Sequence, residues 1–541
     1  MTPSRSLTLQ RHWLWWFMLA VLVLVALARL RLLDFPLERD EGEYAYAGQL
    51  ILQGIPPYEL AYNMKFPGTY LAYAGIMAVF GQTPAGIHLG ILLLTTATAL
   101  MLFWLGKKCL DETAGAAAAA SYVILAASPT MLGLAGHATH FCAFFVTAGL
   151  CFMWSARQKE TWFAIAAFAV CFGTAVLMKQ HAVLIAAWAG LAFAWGKLFS
   201  PKDSAAKKIL SVAFCALAML LPLALCSLWL WHAGVFGKFK FWTFDYAREY
   251  ASAIPLSYAP QTFAQGVHWA LERIFLLPLL ALAGGFVVWR DPRWNGARGW
   301  FLGCCLASAL AVCPDFYFRK HYFLILLPAL ALLTGAAVSG LQQLWAGKAC
   351  AAYPAYGYAL VAGVTMLQLS GVWFFRSLPE IIRGTSPVDQ GLYGADPLPE
   401  AAIVAKYIED NSALDARVAI LGSEPEIFFL AHRHSATGYI YTYPLMEPQP
   451  FASQMQREMI HDLEAAAPEF VVFADNIMSW NRHPESDPAI FNWWDAYHTN
   501  YTLVGLTDII SPTNTIVVLG TNYVARYPEA RGSALEIFRR K

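Results

Sequence analysis

Arg39-Asp40-Glu41-Gly42-Glu43-Tyr44 follows closely on an apolar run from Trp13 to Leu33, and leads into Gly54-Ile55-Pro56-Pro57-Tyr58 and Lys65-Phe66-Pro67-Gly68. The apolar run is long enough to cross the roughly 30 Å of hydrocarbon in a bilayer. Carboxylates are costly to desolvate beside such a layer, so Asp40 and Glu41 mark a functional site by default. The Pro and Gly turns divide residues 34–83 into short amphipathic pieces, one of them over residues 67–81, suited to lying in the interface rather than crossing it. A plainer role is open too: acidic side chains favour the first turn of a helix, and Asp40 to Gln49 has a helical pattern.

Beyond this segment, apolar windows recur near residues 13–33, 84–105, 115–133, 138–155, 161–178, 181–199, 209–231, 274–290, 300–313, 321–341 and 354–375, which makes about eleven transmembrane helices. Composition agrees, with 58% hydrophobic and 13% charged residues, where soluble proteins carry about 25% charge. A net charge of +1 argues against a nucleic-acid partner. The first apolar run is too long for a cleavable signal peptide and lacks a small-residue cleavage site, so it is expected to stay as an anchor. The ten cysteines fall between Cys109 and Cys350, mostly inside apolar runs, with no CxxC or Cys/His metal spacing. They read as small core hydrophobes. No cofactor is expected and no metal site is assigned, with a divalent metal left open.

With a cytoplasmic N-terminus, Lys107-Lys108, Arg157, Lys159, Lys202, Lys207-Lys208, Arg290, Arg293 and Arg298 fall on inner loops, where the positive-inside rule places basic residues. The odd number of spans then puts residues 376–541 outside, on the same face as the long loops 34–83 and 232–273 and the short polar turn Pro314–Tyr322. Residues 1–375 form the membrane domain. After Phe375 the pattern changes to helices over Pro399–Asp410 and Phe451–Ala466, with strands over Arg417–Leu421, Phe470–Ala474 and Thr515–Leu519. That alternation predicts a soluble α/β domain with a mostly parallel sheet.

Several groups have chemistry to offer. Transfer of an activated group needs a carboxylate to accept or orient the acceptor's proton, and cations to stabilise a departing phosphate. The candidate cations are Arg39, Lys65, Lys179, Arg319, Lys320 and His321, although basic side chains near span ends also snorkel to headgroups. Lys179 interrupts an otherwise continuous apolar region. His137 and His140 have metal-compatible spacing without a third local ligand. Gly422-Ser423-Glu424-Pro425 follows a strand but lacks the second glycine and the lysine of a phosphate loop. The polar, aromatic run Arg433–Pro444 suits sugar contacts and domain docking equally well.

The first loop, from Arg39-Asp40-Glu41-Gly42-Glu43-Tyr44 through Tyr58 to Lys65-Phe66-Pro67-Gly68-Thr69-Tyr70, resembles that of family 39-type glycosyltransferases of the GT-C fold. This group is similar to protein O-mannosyltransferases and to the aminoarabinose transferases that act on lipid A. Arg319-Lys320-His321-Tyr322-Phe323, running on to Pro328, looks like the later loop of bacterial members. The resemblance covers about residues 13–375. It implies a polyprenyl-phosphate-linked sugar donor, an inverting transfer and an active site on the extracytoplasmic face of a bacterial cytoplasmic membrane. The acceptor would be a cell-envelope glycan, lipid or protein. Asp40 maps onto the catalytic carboxylate with Glu41 beside it, and Lys65 onto the donor-phosphate ligand, with Arg319, His321 and Arg39 as further phosphate contacts. Tyr44, Tyr58, Lys179 and His140 are candidate substrate contacts. Many relatives carry an acidic residue at the start of the fourth span, where this chain has His140, which puts a two-carboxylate mechanism and a carboxylate-held metal in doubt. A transporter or flippase of lipid-linked saccharides is the rival reading. It would call for internal repeats and midplane charges, whereas the charges here cluster at one face.

Overall fold

The computed structural model of this chain describes residues 5–346 and 396–541, apart from positions 202, 273–275, 295, 512–513, 526 and 528–531. Helices stand where the first ten spans are expected: Arg5–Arg31, Pro84–Cys109, Glu112–Leu125, Ala138–Gln158, Trp162–Met178, Val183–Leu198, Ala205–His232, Leu276–Arg290, Arg298–Leu310 and Leu327–Ala346. The eleventh, 354–375, lies outside the described residues, as does the expected domain boundary at 375/376. Among the described residues, five helical stretches are both long and apolar enough to cross a membrane: Pro84–Cys109, Ala138–Gln158, Gln180–Leu198, Ala205–His232 and Lys320–Gln343. The third span is shorter than its apolar window. Its helix stops at Leu125, and Ser128 turns extended ahead of a short turn that begins at Pro129, because the proline ring clashes with a helical residue before it.

The chain forms two compact units that cut across its linear order. One comprises Met1–Arg31, Leu89–Cys226 and Ile254–Pro379. In it, helix Ala138–Gln158 packs on Trp162–Met178, and Leu327–Ala346 packs on both Glu112–Leu125 and Leu276–Arg290. The alanine run Ala116–Ala120 is wholly buried. A Cβ on Gly335 would lie 2.3 Å from the Ala114 carbonyl. Small residues let helix backbones approach closely, which is how helices associate where lipid gives no hydrophobic drive.

The other unit comprises Leu32–His88, Ser227–Ala253 and Glu380–Lys541. Its C-terminal part is built on a six-stranded sheet ordered β2-β1-β3-β6-β4-β5, with β1 Arg417–Leu421, β2 His434–Ser435, β3 Phe470–Asp475, β4 Tyr501–Ser511, β5 Asn514–Leu519 and β6 Ser533–Arg540. Strand β1 runs parallel to β2 and β3. The pairings β3–β6, β6–β4 and β4–β5 are antiparallel, so the sheet is mixed and not mostly parallel. The sequence reading missed β4 and β6, the strands that reverse the direction. Gly505 and the buried Asp508 interrupt the apolar pattern of β4, where Asp508 accepts from the Tyr527 hydroxyl at 2.8 Å and the Gly532 N–H at 2.9 Å. Helix Leu398–Asn411 buries Leu398, Ala401, Val404, Ala405 and Ile408, a spacing of three and four that puts them on one face, against β6 and helix Glu426–Ala431.

Candidate active site

Helix Arg39–Leu52 is capped by Glu38, whose carboxylate accepts the Asp40 N–H at 2.7 Å, while the Glu41 carboxylate reaches back to the Glu38 N–H at 3.1 Å. This reciprocal box satisfies donors that a helix start leaves open. Glu41 is fully buried, with His88 Nε2 3.3 Å from its other oxygen. The neighbours thus face different partners: Glu41 closes the cap, and Asp40 points toward Lys65.

Asp40 Oδ1 accepts from Lys65 Nζ at 2.8 Å, and Lys65 also donates to Glu43 Oε2 at 2.5 Å. Asp40 and Glu43 share a face because residues three apart on a helix are neighbours. The Asp40 and Lys65 side chains keep 22% and 20% of their exposure, whereas Glu43 keeps none. Burial pushes the Glu43 carboxyl above its usual range and Asp40 adds to this, against the pull of Lys65. Burial also works against the Lys65 ammonium, but Asp40 and Glu43 outweigh it and hold its pKa well above the ordinary lysine value. Lys65 therefore stays charged. The Tyr70 hydroxyl donates to Glu43 Oε1 at 2.5 Å. Tyr44 lies under the Lys65 ammonium, 4.6 Å from ring centroid to Nζ, and packs on Tyr70 and Tyr73. Tyr58 is fully buried, and its hydroxyl is bonded to the Lys65 carbonyl at 2.7 Å. Its φ of 67° is left-handed, a strained conformation for a tyrosine that such sites concentrate. The two tyrosines thus brace Lys65.

The remaining faces of the helix meet other elements of the same unit. A Cβ on Gly48 would sit 2.7 Å from Met77 Cε and 2.9 Å from the Ala74 nitrogen, so glycine is what lets helix Gly68–Phe80 approach. Arg39 turns into the C-terminal domain: Nε donates to the Ser423 carbonyl at 2.6 Å, and Nη2 lies 3.3 Å from both Asp396 and Glu424. The Tyr441 hydroxyl donates to the Arg39 carbonyl at 2.8 Å and stands 3.5 Å from Asp40 Oδ1. The second long loop enters the same unit, where Trp242, in a π-helical turn Phe241–Tyr246, stacks on Tyr62, and Phe241 packs on Phe451.

The other expected contacts belong to the helical unit. His321 stacks on His137 at 4.3 Å between ring centroids. Lys179 ends helix Trp162–Met178 and lies 4.0 Å over the Tyr322 ring. The Tyr322 hydroxyl donates to Asp315 at 2.9 Å, with His181 3.5 Å from the same carboxylate oxygen. Arg319 is exposed and lies over Tyr317. His140 is buried, with Nε2 3.4 Å from the Ala126 carbonyl. The turn holding Arg319 has left-handed φ at Asp315, Phe316 and Phe318.

Sequence reasoning passed over Glu43, Tyr70, Glu38 and Asp315. The signal for Glu43 was present, three residues after Asp40 on a helical pattern. Tyr441 lies in the polar, aromatic run Arg433–Pro444, whose composition gives that residue no role of its own.

No protein-family model matches the chain, and no curated protein sequence does. Solved structures do. The chain is similar to ArnT from Cupriavidus metallidurans bound to undecaprenyl phosphate, at 15% identity and a TM-score of 0.52, over 87% of this chain and 94% of that one. Apo ArnT gives 14% identity and 0.51, over 96% and 99%. The archaeal oligosaccharyltransferase AglB from Archaeoglobus fulgidus, in complex with an inhibitory peptide and a dolichol-phosphate, gives 12% and 0.51, over 96% and 75%. At these identities the likeness is one of fold, and it agrees with what the Arg39–Tyr70 loop implies: this multi-pass chain has the GT-C architecture of ArnT and AglB.

Proposed function

We propose that this protein is an integral-membrane glycosyltransferase that moves a sugar, with inversion, from a polyprenyl-phosphate donor to an acceptor in the bacterial cell envelope. The observation that carries this reading is the Asp40–Lys65 pair at the start of a buried helix, part of it open to solvent. The shared fold supports the class, and two of the solved relatives hold polyprenyl phosphates. In the reaction, the acceptor oxygen or nitrogen attacks the anomeric carbon from the face opposite the phosphate. The bond from that carbon to the phosphate oxygen breaks, and the acceptor's proton passes to Asp40. Lys65 shares its ammonium with the leaving phosphate, where preformed charge is most effective, and this releases the Asp40 carboxylate for the acceptor. Arg319 and His321 are the further phosphate ligands, Lys179 and His140 the further substrate contacts. The site and the C-terminal domain face the extracytoplasmic side.

Asp40→Asn tests this directly. The variant should express and fold, yet lose at least about 10²-fold in transfer if the carboxylate does acid–base work. Transfer is read as undecaprenyl phosphate released from a panel of undecaprenyl-phosphate-linked sugars with envelope extract as acceptor. Wild-type turnover in the variant would overturn the assignment.

A further inference from the structure

Helix Arg39–Leu52 meets the C-terminal domain along one stripe. Arg39 bonds the Ser423 carbonyl and pairs with Glu424. Gly42 lies so close to Glu426 that a Cβ would be 2.6 Å from its backbone nitrogen. The Tyr46 oxygen accepts the Ser435 N–H at 2.8 Å, Gln49 Nε2 meets His432 Nδ1 at 2.9 Å, and Gln53 meets His434 at 2.6 Å. Positions 39, 42, 46, 49 and 53 alternate steps of three and four, which is one face of a helix. Asp40 and Glu43 stand off this stripe, toward Lys65.

Resting on the transferase reading above, we propose that the C-terminal domain is a working part of the transfer site, with Arg39 and Glu424 as positioning residues that latch the Asp40 helix in place. Arg39 is 8% exposed and Glu424 is not exposed at all. Glu424 also accepts from the Ser423 N–H at 2.8 Å and the Ser479 hydroxyl at 2.7 Å. A buried pair satisfied in this way holds one geometry: removing Arg39 strands the Glu424 charge, and removing Glu424 leaves Arg39 to the more exposed Asp396 and pulls its guanidinium off the latch. Arg39 immediately precedes Asp40, so a shift of the latch moves the carboxylate. Tyr441 extends the same domain to the site itself, holding the Arg39 carbonyl with its hydroxyl beside Asp40 Oδ1. On this account Arg39 serves Asp40, and the donor phosphate is left to other cations.

The test compares Arg39→Gln, Glu424→Gln and the double variant in the full-length protein, with Arg39→Lys and Tyr441→Phe as milder changes. Hydrogen exchange of amides 39–44 reads the latch whatever the reaction is. Donor KM, kcat and stabilisation by added undecaprenyl phosphate read its consequence. Both single variants should speed exchange at 39–44 and lower kcat by about 10²-fold, the scale of a misplacement of about 1 Å. Donor KM and undecaprenyl phosphate binding should not change, and the double variant should be no worse than the more damaged single. Arg39→Lys should recover part of kcat, and Tyr441→Phe should lower kcat alone. A rise in donor KM or loss of undecaprenyl phosphate binding in Arg39→Gln, with Glu424→Gln silent, would make Arg39 a phosphate ligand and end the proposal. Unchanged exchange at 39–44 in both would end it too. Faster exchange in variants of a protein whose wild type transfers no sugar would keep the latch and overturn the transferase reading instead.

Discussion

Lys65→Met deletes the ammonium that Asp40 and Glu43 share while keeping a stem of similar length. Asp40 is 22% exposed and can draw on water, but Glu43 is fully buried, so the cost falls on Glu43. Removing one partner of a buried ion pair costs about 3–5 kcal/mol. The Tyr70 hydroxyl still donates to Glu43, and a hydrogen bond to a charged group contributes about 1.5–3 kcal/mol, which keeps the loss near the lower end, about 3 kcal/mol at pH 7. Protonation sets a second bound. Burial already raises the Glu43 pKa, with Asp40 adding and Lys65 opposing, so without Lys65 it rises further. A carboxyl whose folded pKa lies above its unfolded value stabilises the fold fully at low pH, and that contribution is lost as pH rises from the unfolded pKa toward the folded one. Holding that proton from an unfolded pKa of about 4.3 up to pH 7 costs at most about 3.7 kcal/mol, at about 1.36 kcal/mol per unit. The two routes agree. The assay is thermal unfolding in detergent between pH 5 and pH 8, for wild type, Lys65→Met, Glu43→Gln and the double variant. The Lys65→Met deficit should be small at pH 5 and grow with pH, and Glu43→Gln added to it should recover most of the loss. A deficit that ignores pH, or losses that simply add in the double variant, would refute the shared-ammonium account.

Glu41→Gln keeps an oxygen for the Glu38 N–H, so it should cost no more than the loss of a helix cap, about 0.5–2 kcal/mol, and leave transfer within an order of magnitude of wild type in the release assay. Glu426 is fully buried, its carboxyl oxygens have no hydrogen-bond partner among the described residues, and burial followed by the nearby Glu424 holds its pKa well above the usual range. Its contribution to stability is therefore present at low pH and lost as pH rises from the unfolded value, so Glu426→Gln should match wild type at pH 5 and unfold at a higher temperature than wild type at pH 8. An equal shift at both pH values would show that this carboxyl does not titrate as described. A reporter fused after Lys541 should behave as extracytoplasmic, and protease added to spheroplasts should remove the C-terminal domain. A cytoplasmic signal would overturn the placement of Asp40 on the face where lipid-linked sugars are used.

The apolar windows could be read from sequence because a membrane span is a local property: a run of about 20 residues needs no partner to be recognised. The pairing of Asp40 with Lys65 could be anticipated only as a role, through the resemblance of the loop. What separates Asp40 from Glu41 is the Glu38 cap, and capping depends on which residue turns extended, here Glu38 at φ −69° and ψ 157°. The antiparallel half of the sheet went unread because β6 pairs with β3 and β4 across long stretches of chain, and its charged end, Arg539-Arg540, looks like a tail. Arg39 is the clearest case. Its bond to the Ser423 carbonyl spans 384 positions, and no local pattern encodes such a distance. Yet the helix carries one sign that needs no partner to see. Arg39 to Gln49 holds one Arg, one Asp, two Glu, two Tyr and one Gln, and every residue from Glu41 to Leu50 is buried. A helix polar on all sides cannot be buried unless each group finds its own partner. Lys65 and Tyr70 answer one face, His88 and the cap a second, and the C-terminal domain a third. The position of Asp40 is thus fixed by three sets of contacts at once, which makes the distant domain part of the site's geometry.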